Sequence, residues 1–407
     1  MIVRSRLVVS LVTEPIDNGA VAIDGNKIVG VGRFEEVREQ HPDWDVLDLG
    51  DQILLPGLIN AHCHLDYTLL RGRIATQRTF TDWVCAINEV KAGLTEQDYL
   101  QGIAAGLREA QRFGTTTIVN LEAFPELLPQ LSASPLRVWW CAEMIDVRTK
   151  FPVRRVWENL DYWFRSSPEF LGGLGLAPHA LYTASPQLFA ESAALGRERG
   201  LLLTTHLAES REELQMFRDG DGPLFEFLQN VGRPMKDCGN ETPISRLISM
   251  QALDTRWIVA HLNEITASDF DLLKSRDRFH LVHCPASHRF FGHSPFPLRR
   301  LQKMGFNICL GTDSLASNSS LSLFAEMRRL IEDNQSVTPR EAVLMTTING
   351  ARAIGRADSL GQIRPGFYAD LIALPTRQPR GDLYEAIASY EGETPWIMVN
   401  GCVLGKK

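Results

Sequence analysis

From residue 50 to about 355 the chain alternates short apolar or β-branched runs with longer amphipathic stretches. This is the pattern of repeated βα units around a parallel sheet. Eight runs read as strands, at 53–64, 115–121, 136–144, 174–179, 201–206, 257–261, 279–283 and 306–313. Helix boundaries fall between them. Thr95 suits the N-cap of a helix over 95–113, with Gln97 and Asp98 in its first turn and Gly114 behind it, and Ser185-Pro186 supplies an N-cap and an N1 proline for another. Eight βα units close into a (β/α)8 TIM-type barrel, an α/β fold whose chemistry gathers at the C-terminal ends of the strands. The chain ends break the pattern: 1–50 and 361–407 read as strands joined by turns such as Asp24-Gly25-Asn26. They are expected to pair into a small β-sandwich, dividing the chain into 1–55 and 359–407 (sandwich) and 56–358 (barrel).

Several strand ends carry metal-binding residue types. In Asn60-Ala-His-Cys-His64, His62 and His64 are two apart, so on a strand they point to one face and can share an ion. His206 in Thr205-His-Leu-Ala-Glu209 and Asp313 in Gly311-Thr-Asp-Ser314 end their own apolar runs. Three imidazoles and a carboxylate at equivalent barrel positions read as a site for one divalent metal ion, with Zn first and Fe or Mn also suited to the ligands, and so as a hydrolase. His261 and His179 end two further runs. Each histidine alone could be a packed core residue, but five at equivalent strand ends are hard to explain by packing.

The remaining composition narrows the functional classes. With 42 basic against 49 acidic residues, a formal charge of -7 and no strong basic cluster, nucleic acid is not an expected partner. Seven cysteines without Cys-x-x-Cys spacing suggest neither a disulfide framework nor a thiolate zinc site, and fit the cytoplasm. The basic and then apolar start, Met1 to Val12, leads into a strand-like pattern without a cleavage site, and no apolar run is long enough for a bilayer, so no membrane association is expected. A small-molecule substrate and a homodimer are the expected partners.

These residues match a family. Pro56-Gly-Leu-Ile-Asn-Ala-His-Cys-His64 and Gly361-Gln-Ile-Arg-Pro-Gly-Phe-Tyr-Ala-Asp-Leu371 resemble the opening signature and the returning segment of the metal-dependent amidohydrolase superfamily. Pro178-His-Ala-Leu-Tyr-Thr-Ala-Ser185, His206-Leu-Ala-Glu-Ser210, His283-Cys-Pro-Ala-Ser287 and Gly311-Thr-Asp-Ser-Leu-Ala-Ser317 resemble its aminohydrolase branch, which acts on adenosine derivatives, guanine, cytosine and chlorinated triazines. The resemblance implies that His62, His64, His206 and Asp313 bind one metal, Glu209 is the acid/base and His261 polarises the attacking water. Dinuclear members use a modified lysine at a strand end; here the fourth strand ends Ala177-Pro-His179, and a mononuclear site is expected. Glu122 is expected to cap or face solvent, although some amino-sugar deacetylases use such a residue as a ligand.

The implied reaction is hydrolytic deamination of a 6-aminopurine nucleoside derivative such as adenosine, methylthioadenosine, S-adenosylhomocysteine or aminodeoxyfutalosine, with slight features of the last. Glu209 would protonate a ring nitrogen and Asp313 take a proton from water, while His261 steadies the alkoxide. Phe80, Trp83, Arg71, Arg73, His179, Arg148, Ser287 and His288 follow strand ends and are candidate substrate contacts, foremost His179, Trp83, Arg148, Ser287 and His288. Glu264, which repeats the His-x-x-Glu spacing after His261, reads as a helix-start carboxylate near an N-cap at Thr266. The competing readings are hydrolysis of an amide, halide or another heterocycle at the same centre, and an inactive scaffold, which the intact ligand set disfavours.

Overall fold

The computed structural model describes residues 1–147, 150–274, 278–376 and 382–404. Its barrel strands, numbered here in chain order, are β1 (Leu58–His64), β2 (Thr115–Glu122), β3 (Arg137–Met144), β4 (Leu171–Pro178), β5 (Leu202–Leu207), β6 (Trp257–His261), β7 (His280–His283) and β8 (Asn307–Leu310). Neighbours pair in parallel and in sequence order. Most are buried along their whole length, as β2 and β3 are, which is why they read as continuous apolar or β-branched runs and not as alternating ones. Helices cover the outside. The helix Glu96–Arg112 is opened by a reciprocal Thr95/Asp98 capping box, and Pro186–Arg199 by a Ser185 hydroxyl that accepts from the Leu188 N–H, both where the sequence places their starts.

Two expected strands are in fact divided. The run 53–64 splits at Gly57: Gln52–Pro56 belongs to the other sheet and Leu58–His64 to the barrel. A Cβ on Gly57 would stand 2.2 Å from the Thr116 side chain, so the crossing admits only glycine. The run 306–313 splits after β8. The chain resumes as a two-residue strand, Asp313–Ser314, paired in parallel with Cys63 and His64 of β1, and this pairing completes the ring. Here too a glycine permits close approach: a Cβ on Gly311 would lie 2.8 Å from both the Cβ and the carbonyl oxygen of His62. The Thr312 N–H donates to that carbonyl at 3.0 Å.

Both chain ends build one eight-stranded mixed sheet, in the order Cys402–Val403, Trp396–Val399, Leu371–Pro375, Gln52–Pro56, Ile2–Val8, Ile16–Asp24, Lys27–Arg33, with Val46–Asp48 also beside Ile2–Val8. Val3, Val21, Ile28, Leu54, Leu371 and Met398 share its apolar core. Gly25, at φ 56°, makes the turn expected between the second and third of these N-terminal strands. A buried Arg137–Asp370 ion pair, Nε to Oδ2 2.6 Å, ties the sheet to the start of β3. Arg137 also donates to Asn400 at 2.7 Å. None of the seven cysteines is bonded to another, and no helix among the described residues is long and apolar enough to cross a membrane.

Candidate metal centre and active site

The strand ends converge as the motifs require. His62 and His64 close β1, His206 is the penultimate residue of β5, His261 ends β6, and Asp313 stands on the short strand against β1. His64 Nε2 faces His206 Nε2 at 3.3 Å, and Asp313 Oδ1 lies 3.7 Å from His62 Nε2 and 3.8 Å from His64 Nε2. Among the described residues, three donor sets have all their atoms within 4.8 Å of one another: His62, His64 and His206; Glu209, His261 and Asp313; and Glu143, His179 and His206.

The polar atoms here fit a bound cation. Both ring nitrogens of His62, Nδ1 of His64 and Nε2 of His261 are buried with no hydrogen-bond partner, a costly arrangement unless another species satisfies them. His206 Nδ1 sits 2.8 Å from the His179 carbonyl oxygen, which can only accept, so the neutral ring carries its proton on Nδ1 and leaves the Nε2 lone pair free. Burial holds His64 and His261 well below the ordinary imidazole range, and burial plus the field of His62 brings His206 down to about 4. Burial alone would raise Asp313, but the imidazoles of His62, His261 and His64 outweigh it and hold the carboxyl well below its usual range. Neutral imidazoles and an ionised carboxylate are the ligand forms a divalent ion needs.

Strained backbone aims these groups. His261 (φ 75°), Leu262 (φ 53°), Asp313 (φ 58°) and Ala208 (φ 48°) are all left-handed, at a typical cost of roughly 1–3 kcal/mol each. Specific hydrogen bonds sustain them: Asn263 N–H and Glu264 N–H both donate to the Ala208 carbonyl at 2.9 Å, and Ser314 N–H donates to Asp313 Oδ1 at 2.8 Å. Glu213 accepts from the backbone N–H groups of Ala208 (3.1 Å) and Glu209 (2.7 Å), while Asn263 Nδ2 donates to the Glu209 carbonyl at 3.1 Å. Glu209 is thereby fixed with Oε1 3.6 Å from His261 Nε2. Burial, then the charges of Asp313 and Glu213, raise its carboxyl well above the usual range, which favours the protonated form.

The site opens into a cavity of about 260 Å³ walled by Phe80, Trp83, Ile87, Tyr182, Phe227 and Leu228, with His64, His179, His206, Glu209 and Asp313 on its polar side. Of the expected substrate contacts, His179 and Trp83 lie in this wall. Ser287 does not: its hydroxyl donates to Asp313 Oδ2 at 2.6 Å, which makes it a positioner of the carboxylate. His288 turns away, with Nε2 2.9 Å from the Ser294 carbonyl oxygen and its ring edge-on to those of His283 and His293. Arg148 lies outside the described residues. Arg71 is paired with Glu109, and Phe80 lines the cavity. Glu122 is buried and accepts from Asn120 Nδ2 (3.1 Å) and Phe124 N–H (3.2 Å), so it is the capping carboxylate and not a solvated one. Glu264 departs from expectation. Asp269 completes the cap with Thr266, and Glu264 instead accepts from the Ser294 N–H (3.1 Å) and hydroxyl (2.8 Å), pinning the segment after β7.

Tyr182, Lys91, Glu143 and Glu213 stand at or beside the site without a strong sequence signal. Glu213 had a signal, the Ser210-x-x-Glu213 capping spacing, although its carboxylate reaches past the cap to residues 208 and 209. Glu143, one residue before the end of β3, could have been found by applying the strand-end rule to acids as well as to histidines.

A parallel barrel that gathers histidines and carboxylates at the C-terminal ends of its strands is the frame of a hydrolase, and its family and relatives make it one acting on carbon–nitrogen bonds other than peptide bonds. The chain belongs to the amidohydrolase family: the profile described as "Amidohydrolase family" matches residues 53–401, and one described as "Imidazolonepropionase-like composite domain, bacteria" matches residues 19–43. It is 30% identical over 381 residues to a 5-methylthioadenosine/S-adenosylhomocysteine deaminase of Nitratidesulfovibrio vulgaris, covering 89% of this chain and 80% of that one. A deaminase of the same description from Pyrococcus abyssi is 30% identical over 372 residues, with 88% and 81% covered. In structure the chain is similar to the aminofutalosine deaminase of Helicobacter pylori (TM-score 0.86, 21% identity, 99% of each chain). It is also similar to a zinc-bound adenosine deaminase of Xanthomonas campestris (TM-score 0.82, 23% identity, 99% of this chain and 92% of that one). At these identities the two structures establish the fold.

Proposed function

We propose that the protein is a metal-dependent deaminase of a 6-aminopurine nucleoside derivative, releasing ammonia. The observation that carries this reading is the buried Glu209 carboxyl set 3.6 Å from His261 Nε2, beside the histidine and Asp313 cluster and lining an aromatic-walled cavity. The names of the relatives, deaminases of methylthioadenosine and S-adenosylhomocysteine, support it.

His62, His64, His206 and Asp313 would hold one divalent ion, with zinc favoured by the zinc-bound neighbour. When bound, such an ion supplies Lewis acidity and a water acidified toward neutrality. The other steps belong to the chain. Trp83, Phe80 and Tyr182 offer faces and edges for a purine, and His179 a ring nitrogen for its polar edge. Glu209 gives its proton to the ring nitrogen beside the amino-bearing carbon, which makes that carbon electrophilic. Asp313, held by Ser287, accepts a proton from the attacking water, and His261 stabilises the developing oxyanion. Asp313 then returns its proton to the amino group, the carbon–nitrogen bond breaks, and Glu209 recovers a proton from the hydroxyl as the carbonyl forms. The balance is water consumed and ammonia released.

An ammonia-release screen over aminopurine nucleosides, aminopyrimidines and cyclic amides, combined with metal analysis, tests the assignment. Turnover is expected with 6-aminopurine nucleosides. A metal-loaded protein that hydrolyses only amides or halides would overturn it.

A further inference from the structure

The aromatic wall of the cavity is tied to the Glu209 loop by a residue that takes no part in the chemistry. Glu212 lies in the first turn of the helix Arg211–Asp219, three residues after Glu209. Both of its carboxylate oxygens engage a segment 131 and 132 positions earlier in the chain. Oε1 accepts from the Phe80 N–H at 2.7 Å, and Oε2 accepts from the Thr81 N–H at 2.9 Å and from the Thr81 hydroxyl. These two amides open the helix Phe80–Lys91, and the third, that of Asp82, donates to the Thr79 hydroxyl at 3.0 Å. Glu212 thus satisfies amides that have no partner within their own helix, and it places a negative charge at the end of the helix where the dipole favours one. The next residue, Glu213, holds the N–H groups of Ala208 and Glu209. Two consecutive carboxylates on one helical turn therefore fix the cavity wall and the acid/base loop separately.

The helix so held brings Phe80, Trp83 and Ile87 to the cavity. Little else fixes its start. Residues 71–79, which lead into it, form turns and bends without a helix or strand. On the outer side a crevice of about 140 Å³ separates it from the segment Phe290–His293. Across this gap the rings meet edge-on, Trp83 with Phe291 at 5.0 Å and 89° and Phe80 with Phe291 at 5.4 Å and 63°. Hydrogen bonds are directional where such contacts are not, so three donors converging on one carboxylate set both the place and the direction of the helix end. We propose that Glu212 is a positioning residue for substrate binding, which latches the wall helix so that Phe80 and Trp83 stand ready for the substrate ring. The identity of that ring rests on the deaminase reading; the latch does not. When only a fraction of a protein is in its binding-competent form, apparent affinity falls by that fraction. Release of the latch is therefore read in KM, while Glu209, held by Glu213, keeps kcat.

The test uses the metal-loaded 407-residue chain and the best 6-aminopurine nucleoside among adenosine, 5′-methylthioadenosine and S-adenosylhomocysteine. Glu212→Ala should raise KM by about ten- to a hundred-fold, the span of a hydrogen bond to a charged acceptor, with kcat unchanged. Glu212→Gln, which keeps one acceptor oxygen, should raise it less. Amide hydrogen exchange separates positioning from general loosening. In Glu212→Ala the amides of Phe80 and Thr81 should exchange faster, while those of Ala208 and Glu209, and the metal content, stay as in wild type. If Glu212→Ala does not fold, Glu212→Gln decides by the same readouts. Unchanged KM in both variants, a fall in kcat as large as the rise in KM, or exchange at 208 and 209 quickened as much as at 80 and 81 overturns the proposal. If no nucleoside releases ammonia, the deaminase reading fails by itself. Calorimetric binding of the same nucleosides, beside the exchange data, then decides for Glu212: weaker binding with faster exchange at 80 and 81 upholds the latch, and equal binding, or no binding by either protein, overturns it.

Discussion

Replacing Glu209 by glutamine separates proton transfer from everything else the residue does. The backbone at 209 is fixed from both sides, by Glu213 on its N–H and Asn263 on its carbonyl, so the amide should occupy the place of the carboxyl. Glu209 is not among the expected ligands; its oxygen faces His261 Nε2 at 3.6 Å. The loss is therefore confined to a transferable proton. A general acid/base is worth about 10²–10⁴-fold, or roughly 3–5 kcal/mol of barrier at 1.36 kcal/mol per decade. We expect kcat on the best aminopurine to fall by that factor, with metal content unchanged and with substrate still bound through the amide. Steady-state kinetics beside metal analysis of the same preparation provides the assay. Wild-type kcat would refute the assigned role, and loss of the metal would make Glu209 a ligand.

Four other substitutions have defined outcomes. His64→Ala and Asp313→Asn should each severely reduce bound metal or turnover, and wild type should hold close to one divalent ion per chain; two tightly held ions in fully active protein would contradict the single-ion site. Gly311→Ala places a methyl against His62 and should cost about 1–3 kcal/mol, the range for overpacking, measured as a lowered Tm with weaker metal retention. Glu326 is buried, accepts from Ala286 N–H (2.8 Å) and Asn318 Nδ2 (2.7 Å), and has its carboxyl pushed up to about 8 by burial. Because the folded state holds this proton more tightly than the unfolded chain, stability is full below about pH 4.3 and is lost as pH rises toward 8, by at most about 1.4 kcal/mol per pH unit. Glu326→Gln should flatten that part of the denaturation-against-pH curve, and an unchanged slope would exclude Glu326 as its source.

Much of this molecule is legible in the sequence because the barrel repeats one local rule. Each buried parallel strand is an apolar run, and the chemistry stands at its end, so His62, His64, His206, His261 and Asp313 could be placed together without coordinates. What escaped depended on long-range contact. Gly57 and Gly311 interrupt two runs because of Thr116 and His62, neighbours that the linear pattern does not reveal. The fourth strand begins earlier than expected, through Gly172-Gly173, residues with no strand signal. Ser287 follows a strand end and so reads as a substrate contact, but which way a loop hydroxyl turns depends on Asp313 across the barrel mouth. Lys91, at the end of a helix between the first two strands, belongs to the site only through the packing of that helix.

The short strand that closes the ring bears on stability as well as on chemistry. Only two residues, Asp313 and Ser314, join the last strand to the first at that point, and one of them is a ligand candidate paired in register with Cys63 between the two histidines of β1. An ion shared by Asp313, His62 and His64 would clasp the seam of the cylinder, adding its binding energy where only two residue pairs hold the sheet together. Occupancy and closure would then be linked equilibria, and Tm should climb with the logarithm of free metal concentration. Without the ion this seam would be left to those two pairs, and its opening would expose β1 and β8 as sheet edges, so metal supply would govern how long the protein lasts as well as how fast it works.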